Sequence, residues 1–193
     1  EVDSGEILIN GVNIQDIHKD TLRHHMGMVL QETWLFDGTI EENIAFGREG
    51  ATREEVQNAA RETSVDRLIR QLPDGYDTRI SDDGDTLSVG ERQLLTIARA
   101  FIAYPEMLIL DEATSSVDTR TEVLVQEAMD TLRQGKTAFV IAHRLSTIRD
   151  AELILVMEDG DVVEQGTHDD LLAADGAYAR LFMAQFSGPH QEE

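Results

Sequence analysis

Two adjacent acids, Asp111 and Glu112, close the apolar run Met107–Leu110, and a third, Asp118, follows after Ala-Thr-Ser-Ser-Val. An apolar run ending in carboxylates is how a buried parallel strand delivers charge to the carboxyl rim of a sheet, where ligands of open α/β sheets bind. One such carboxylate can hold a magnesium ion, directly or through water, because this hard cation prefers oxygen ligands. Its neighbour can orient a water for in-line attack on a terminal phosphate. The pair equally suits a helix N-terminus, which attracts acids through its dipole, and these two residues alone do not separate the readings.

Two further polar residues stand in the same relation to an apolar run. His143 follows Ala138–Ile141 closely, and its imidazole could hydrogen-bond a terminal phosphate or an attacking water. Gln31 follows the run Gly27–Leu30, and a strand-end amide can reach both a metal-bound water and a partner surface. Each alone is an ordinary loop residue; three strands that each deliver one polar residue suggest a single site. The stretch TLSVGERQLLTIARA adds an anion-binding feature. Ser88 with Glu91 three residues on forms a capping box. The free backbone N–H groups of Ser88, Val89 and Gly90 at the start of that helix could equally receive a phosphate, with Gly90 permitting close approach.

These residues need a scaffold of alternating strands and helices. Glu6–Ile9 and Val12–Ile14 read as strands about an Asn10-Gly11 turn, followed by a helix over Lys19–His25 and the strand Gly27–Leu30. Thr52 and Glu55 mark a helix start, and helix carrying Leu68, Ile69 and Leu72 is expected up to Pro73-Asp74-Gly75. A helix from Glu91 to about Ala103 precedes the strand Met107–Leu110. Another, to Leu132 and ended by Gly135, precedes the strand Ala138–Ile141. Leu153–Met157 and Asp161–Val163 read as a hairpin, and Ala177–Phe186 as the last helix. The pattern predicts an α/β fold with a mostly parallel sheet. Residues 1–50 would form part of a strand-rich lobe, 51–103 an inserted helical lobe, and 104–193 the core lobe.

Composition narrows the partners. The net charge is −22, from 16 Lys and Arg against 38 Asp and Glu, so direct nucleic-acid binding is disfavoured for want of basic clusters. Anionic membrane surfaces are disfavoured for the same reason, and the acidity reads as a solvated surface. The absence of cysteine excludes disulfide and thiolate chemistry. No apolar run reaches the roughly 18 residues of a membrane span.

Gln31 with TWLF behind it, LSVGERQ, MLILDEATSSVD and IAHRLS occur in the order and rough spacing of an ATP-binding-cassette nucleotide-binding domain. They resemble its Q-loop, signature motif, Walker B with D-loop, and H-loop. LFDGTIEENIAFG and VVEQGTHDDLL are similar to exporters whose membrane domain precedes the nucleotide domain on one polypeptide. The resemblance implies a P-loop NTPase-like, RecA-like sheet and ATP with Mg2+ as ligands. Asp111 would hold magnesium through water, Glu112 would be the general base, His143 would contact the γ-phosphate, and Gln31 would link the metal site to the membrane domain. Ser88, Val89, Gly90 and Glu91 would meet ATP bound to a second nucleotide-binding domain, identical or not, and Asp118 would help join the two sites. Asp118 also reads as the N-cap of the next helix. Trp34, Leu35 and Phe36 would meet the membrane domain or serve as ordinary core. The expected setting is the cytoplasmic face of the plasma (inner) membrane, within an integral transporter.

The chain departs from that family in three places. No G-x-x-x-x-G-K-[ST] loop occurs; Gly135-Lys136-Thr137 has Asp130 where the first glycine belongs, and it precedes a strand instead of following one. Gly135 is therefore expected to end a helix. The chain is read as an N-terminally truncated domain, inactive alone, with apolar surface uncovered beside the missing strand. In the signature, Val89 replaces the usual Gly and Glu91 the usual Gln; a carboxylate there opposes phosphate unless it completes the capping box. The rival readings are a non-transport cassette ATPase and a non-enzymatic truncated fragment.

Overall fold

The computed structural model describes residues 2–31, 33–81, 87–111, 118–142 and 148–186, which fall in two compact units, 1–141 and 142–193. The first unit opens with a hairpin of β1 (Leu8–Ile9) and β2 (Val12–Asn13). Asn10 and Gly11 take positive φ values of 50° and 80°, which a two-residue hairpin turn requires. Helix α1 (Lys19–His25) leads into β3 (Met26–Val29).

A parallel sheet in the order β3, β6 (Met107–Asp111), β7 (Thr137–Ile141) carries the site. Its register pairs Val29 with Leu110 and Leu110 with Val140. Period-two alternation sends Val29, Leu108 and Leu110 to a covered face, where they are almost wholly buried. The other face shows Met28, Phe139 and Ile141 more than half exposed. Apolar residues on both faces are why these strands read as unbroken hydrophobic runs.

Helix α5 (Val89–Ile102) is the central element of this unit, buried along its length through Leu94, Leu95, Ile97, Ala98 and Ile102. It shares one core with the sheet, with α2 (Ile40–Ala45), α3 (Arg53–Glu62) and α4 (Asp66–Ile69), and with α6 (Thr119–Arg133) through Val125, Met129 and Leu132. A short antiparallel pair, β4 (Gly38–Thr39) and β5 (Arg79–Ile80), sits among these helices.

Two segments differ from the sequence expectation. Helix α2 was unforeseen, although Thr39 and Glu42 form a complete capping box at its start. The helix expected to run on to Pro73 breaks after Glu62: Ser64 takes φ 59°, Val65 N–H donates to Ala60 C=O, and Ser64 N–H donates to Arg61 C=O. That pair of bonds is a Schellman ending, here with serine in the position glycine usually fills. It turns the chain so that Val65 and Ile69, both fully buried, enter the core.

The second unit is a hairpin of β8 (Ile154–Glu158) and β9 (Asp161–Gly166) turned at Asp159-Gly160, followed by α7 (His168–Ala173) and α8 (Ala177–Phe186). Glu164 accepts the N–H groups of Ala177 and Tyr178 at 2.6 and 2.9 Å and so caps α8 from β9. Those two bonds hold the Glu164 carboxyl below its ordinary pKa. His168 Nδ1 lies 2.7 Å from the Tyr178 hydroxyl inside this unit's own small core.

Candidate functional site

Strand register sets the geometry of the site. Val29 of β3 is level with Leu110 of β6, so Gln31 and Asp111 emerge two and one residues later at the same carboxyl edge. Asp111 pairs with Ile141 at the end of β7 and is half-buried, whereas Gln31 is exposed. The edge therefore offers a carboxylate at the end of β6 and an amide two residues past β3, oxygen donors of the type magnesium prefers. Among the described residues no three His, Cys, Asp or Glu side chains gather as a metal cluster. Glu112 and His143, the two other strand-tip candidates, lie outside the described residues.

The signature residues occupy a different element, the N-terminus of α5. Ser88 is the N-cap, with extended backbone (φ −64°, ψ 165°). Its N–H donates to Glu91 Oε2 at 2.7 Å, and the Glu91 N–H donates to Ser88 Oγ at 3.3 Å. The unusual glutamate is thus turned back onto the cap, as the sequence required if it was not to confront an anion. Ser88 and Val89 are exposed, while Gly90 is buried. At the start of α6, Asp118 accepts the N–H groups of Arg120 and Thr121, both at 3.1 Å. The bonds from Thr121 hold its carboxyl below the usual range, so the capping role expected of it is real.

The lysine of the imperfect phosphate loop is engaged elsewhere. Gly135 has φ 70° just past α6, and Lys136 places Nζ 5.6 Å from the Phe101 ring centroid. Its pKa is lowered by burial. Helix end and strand start occupy this motif, as read from its order in the chain.

Beyond Gln31, the expected partner-facing residues divide. Leu35 is buried core, but Trp34 is 59% exposed and joins Phe36 and Phe46 in a three-ring cluster with centroids 5.5 to 6.2 Å apart. Phe46, at 64% exposed, belongs to this surface and was not singled out in the sequence. Nor were the two residues that organise it. Asn43 is fully buried, donating to the Phe36 and Thr39 carbonyls and accepting from Phe36 N–H and Arg99 Nη2. Arg99, from α5, is enclosed by the three rings. The pairing of residues 56 positions apart leaves no local sequence signal; only the capping box at Thr39 could have drawn attention to α2.

Residues 1–115 match the family model described as ABC transporter. Over 184 residues the chain is 59% identical to the fatty acid ABC transporter ATP-binding/permease protein of Mycobacterium bovis, covering 95% of this chain and 29% of that protein. It is 45% identical over 190 residues to a probable multidrug resistance ABC transporter ATP-binding/permease protein of Bacillus subtilis, covering 98% and 28%. A bacterial Atm1-family ABC exporter solved with ATP bound superposes with a TM-score of 0.88 at 43% identity, covering 98% of this chain and 33% of that one. The chain thus spans under a third of the length of these two curated relatives.

Proposed function

The chain belongs to the ABC transporter family, and on that premise we propose that it forms part of the ATP-hydrolysing motor of an exporter, coupled to a permease domain on the same polypeptide. Likeness to fused ATP-binding/permease proteins supports the coupling. In this reading residues 1–50 and 104–193 build the catalytic lobe and 51–103 the helical lobe, at the cytoplasmic face of the membrane. Among the described residues no helix is long and apolar enough to cross a membrane, so the span would come from the permease domain.

The observation that supports this reading is the parallel register of β3 with β6, which brings the end of β6 at Asp111 and the chain leaving β3 toward Gln31 to one carboxyl edge. Bound there, magnesium would neutralise charge on the phosphates. Asp111 would hold it through water, Gln31 would sense it, Glu112 would take the proton of the attacking water, and His143 would bond the γ-phosphate. Ser88, Val89, Gly90 and Glu91 would face the ATP held by a second such domain, with Asp118 at the same junction. Trp34, Phe36 and Phe46 would receive the permease domain.

The test uses the full-length protein. Asp111→Asn should cut Mg-dependent ATP turnover about 100-fold or more. Glu112→Gln should abolish turnover while ATP binding, measured by equilibrium titration, persists. Turnover unchanged by either substitution would refute the motor reading.

A further inference from the structure

We propose that Arg99 is a positioning residue that ties the segment after Gln31 to the helix capped by Ser88, so that engagement of one end of α5 resets the aromatic surface at the other. The inference rests on the reading above, in which Ser88 meets nucleotide.

The bonding of Arg99 is unusual for a surface cation. Its guanidinium is half-buried, and among the described residues it has no carboxylate within ion-pair distance. It donates instead to three neutral oxygens: Nε to Asn43 C=O, Nη1 to Trp34 C=O and Nη2 to Asn43 Oδ1, each at 2.8 Å. The rings of Trp34, Phe36 and Phe46 surround it at 5.7, 6.0 and 5.5 Å. Burying a charge among carbonyls and ring faces costs free energy that only complete hydrogen bonding and the ring quadrupoles offset. A planar fork with fixed donors suits these three acceptors, whereas an ammonium cannot match them. One side chain therefore joins three separate pieces of chain: α5, the end of α2 and the strand exit beyond Gln31.

A second contact fixes the same joint. A Cβ on Gly47 would drive into the Arg99 carbonyl and meet Ile102 Cγ2 at 2.8 Å, so the turn after Phe46 lies directly on the α5 backbone. Between Ser88 and this joint the helix runs without a break over Val89–Arg99, about 16 Å at 1.5 Å per residue, and is buried on most sides. Such a rod transmits displacement because its packed interior does not deform gradually. The exposed Trp34 and Phe46 rings move with the guanidinium that holds them.

Hydrogen–deuterium exchange on the full-length transporter, with and without ATP and magnesium, tests this. In the unsubstituted protein ATP should slow exchange in both residues 87–95 and residues 33–47. Arg99→Ala should raise exchange in 33–47 about tenfold and remove its ATP response, while 87–95 keeps its own. Arg99→Lys should lose the same response, and it decides the matter if the alanine variant fails to fold. Retention of the ATP response in 33–47 by either folded variant overturns the coupling alone, as does its absence from the unsubstituted protein when 87–95 responds. Loss of both responses in the variants marks a merely structural residue and also overturns it. An unsubstituted protein in which neither region responds to ATP overturns the motor reading and this coupling together.

Discussion

Glu91 folds back onto Ser88: the carboxylate accepts the Ser88 N–H at 2.7 Å, and the Ser88 hydroxyl accepts the Glu91 N–H at 3.3 Å. The arrangement satisfies two donors at the start of α5 that would otherwise be orphaned. The box turns the carboxylate back but does not discharge it, so part of its opposition to an anion persists at the helix end where phosphate is proposed to approach. Glutamine completes a capping box as well as glutamate does, so the two effects can be separated. Glu91→Gln in the full-length protein should leave the melting temperature unchanged and lower KM for ATP about fivefold, the effect of removing one partly screened charge. A KM that rises would place the carboxylate away from the nucleotide.

Asn43 should be the most costly polar residue of the aromatic surface. Its amide is oriented by its partners: the oxygen faces two donors, Phe36 N–H and Arg99 Nη2, and the NH2 faces two carbonyls. Asn43→Ala would strand these groups in the interior, costing about 3 kcal/mol. Asn43→Asp would keep the Arg99 contact but set a carboxylate against the Phe36 and Thr39 carbonyls. Thermal unfolding should therefore show both variants below the unsubstituted protein, and the aspartate variant should not recover the stability that the alanine variant loses. Equal melting temperatures for all three proteins would contradict the assigned network.

Most features fixed within a few residues of chain were legible in advance, the capping box of Thr39 with Glu42 being passed over, and those fixed across the chain were not. Ser88 with Glu91, Thr52 with Glu55 and the positive φ of Gly135 follow from capping and turn chemistry, and each is present. The strand ends of β3 and β6 were readable because continuous apolar runs stop abruptly at polar residues. The break at Ser64 was hidden, since its left-handed backbone sits on a residue that rarely adopts it. The Arg99 joint was hidden for another reason: α5 reads as an amphipathic helix with a basic residue in its last turn, which suits the helix dipole without any partner.

Glu55 offers a titration with a defined sign. Thr52 N–H and hydroxyl donate to its carboxylate at 2.8 and 3.0 Å, and Arg48 pairs with it. The backbone bond from Thr52, then the bonds from Arg48 and the Thr52 hydroxyl, lower its pKa from 4.5 to about 2. A depressed folded-state pKa means that the stabilisation is complete above about 4.5 and is lost as pH falls from there through about 2. NMR titration of the side-chain carboxyl should find the low value in the unsubstituted protein. Thr52→Ala deletes the hydroxyl but keeps the backbone donor and Arg48, so the midpoint should rise and yet remain below 4.5.

Lys136 provides a control on the imperfect phosphate loop. A lysine that cradles phosphates must project from a glycine-rich turn that opens a helix. Here the order is reversed, with Gly135 terminating α6 and Thr137 beginning β7. The ammonium lies over Phe101, which packs against the main core, so its contribution is a cation–π contact of at most about 1 kcal/mol. Lys136→Ala should thus leave ATP turnover and KM of the full-length protein within about twofold, a change too small for loss of a phosphate ligand. Its melting temperature should fall slightly, and Lys136→Met, which retains an apolar stem over the ring, should recover part of that fall. A turnover reduced about 100-fold or more in both variants would instead make Gly135-Lys136-Thr137 part of the nucleotide site, against the geometry of α6 and β7.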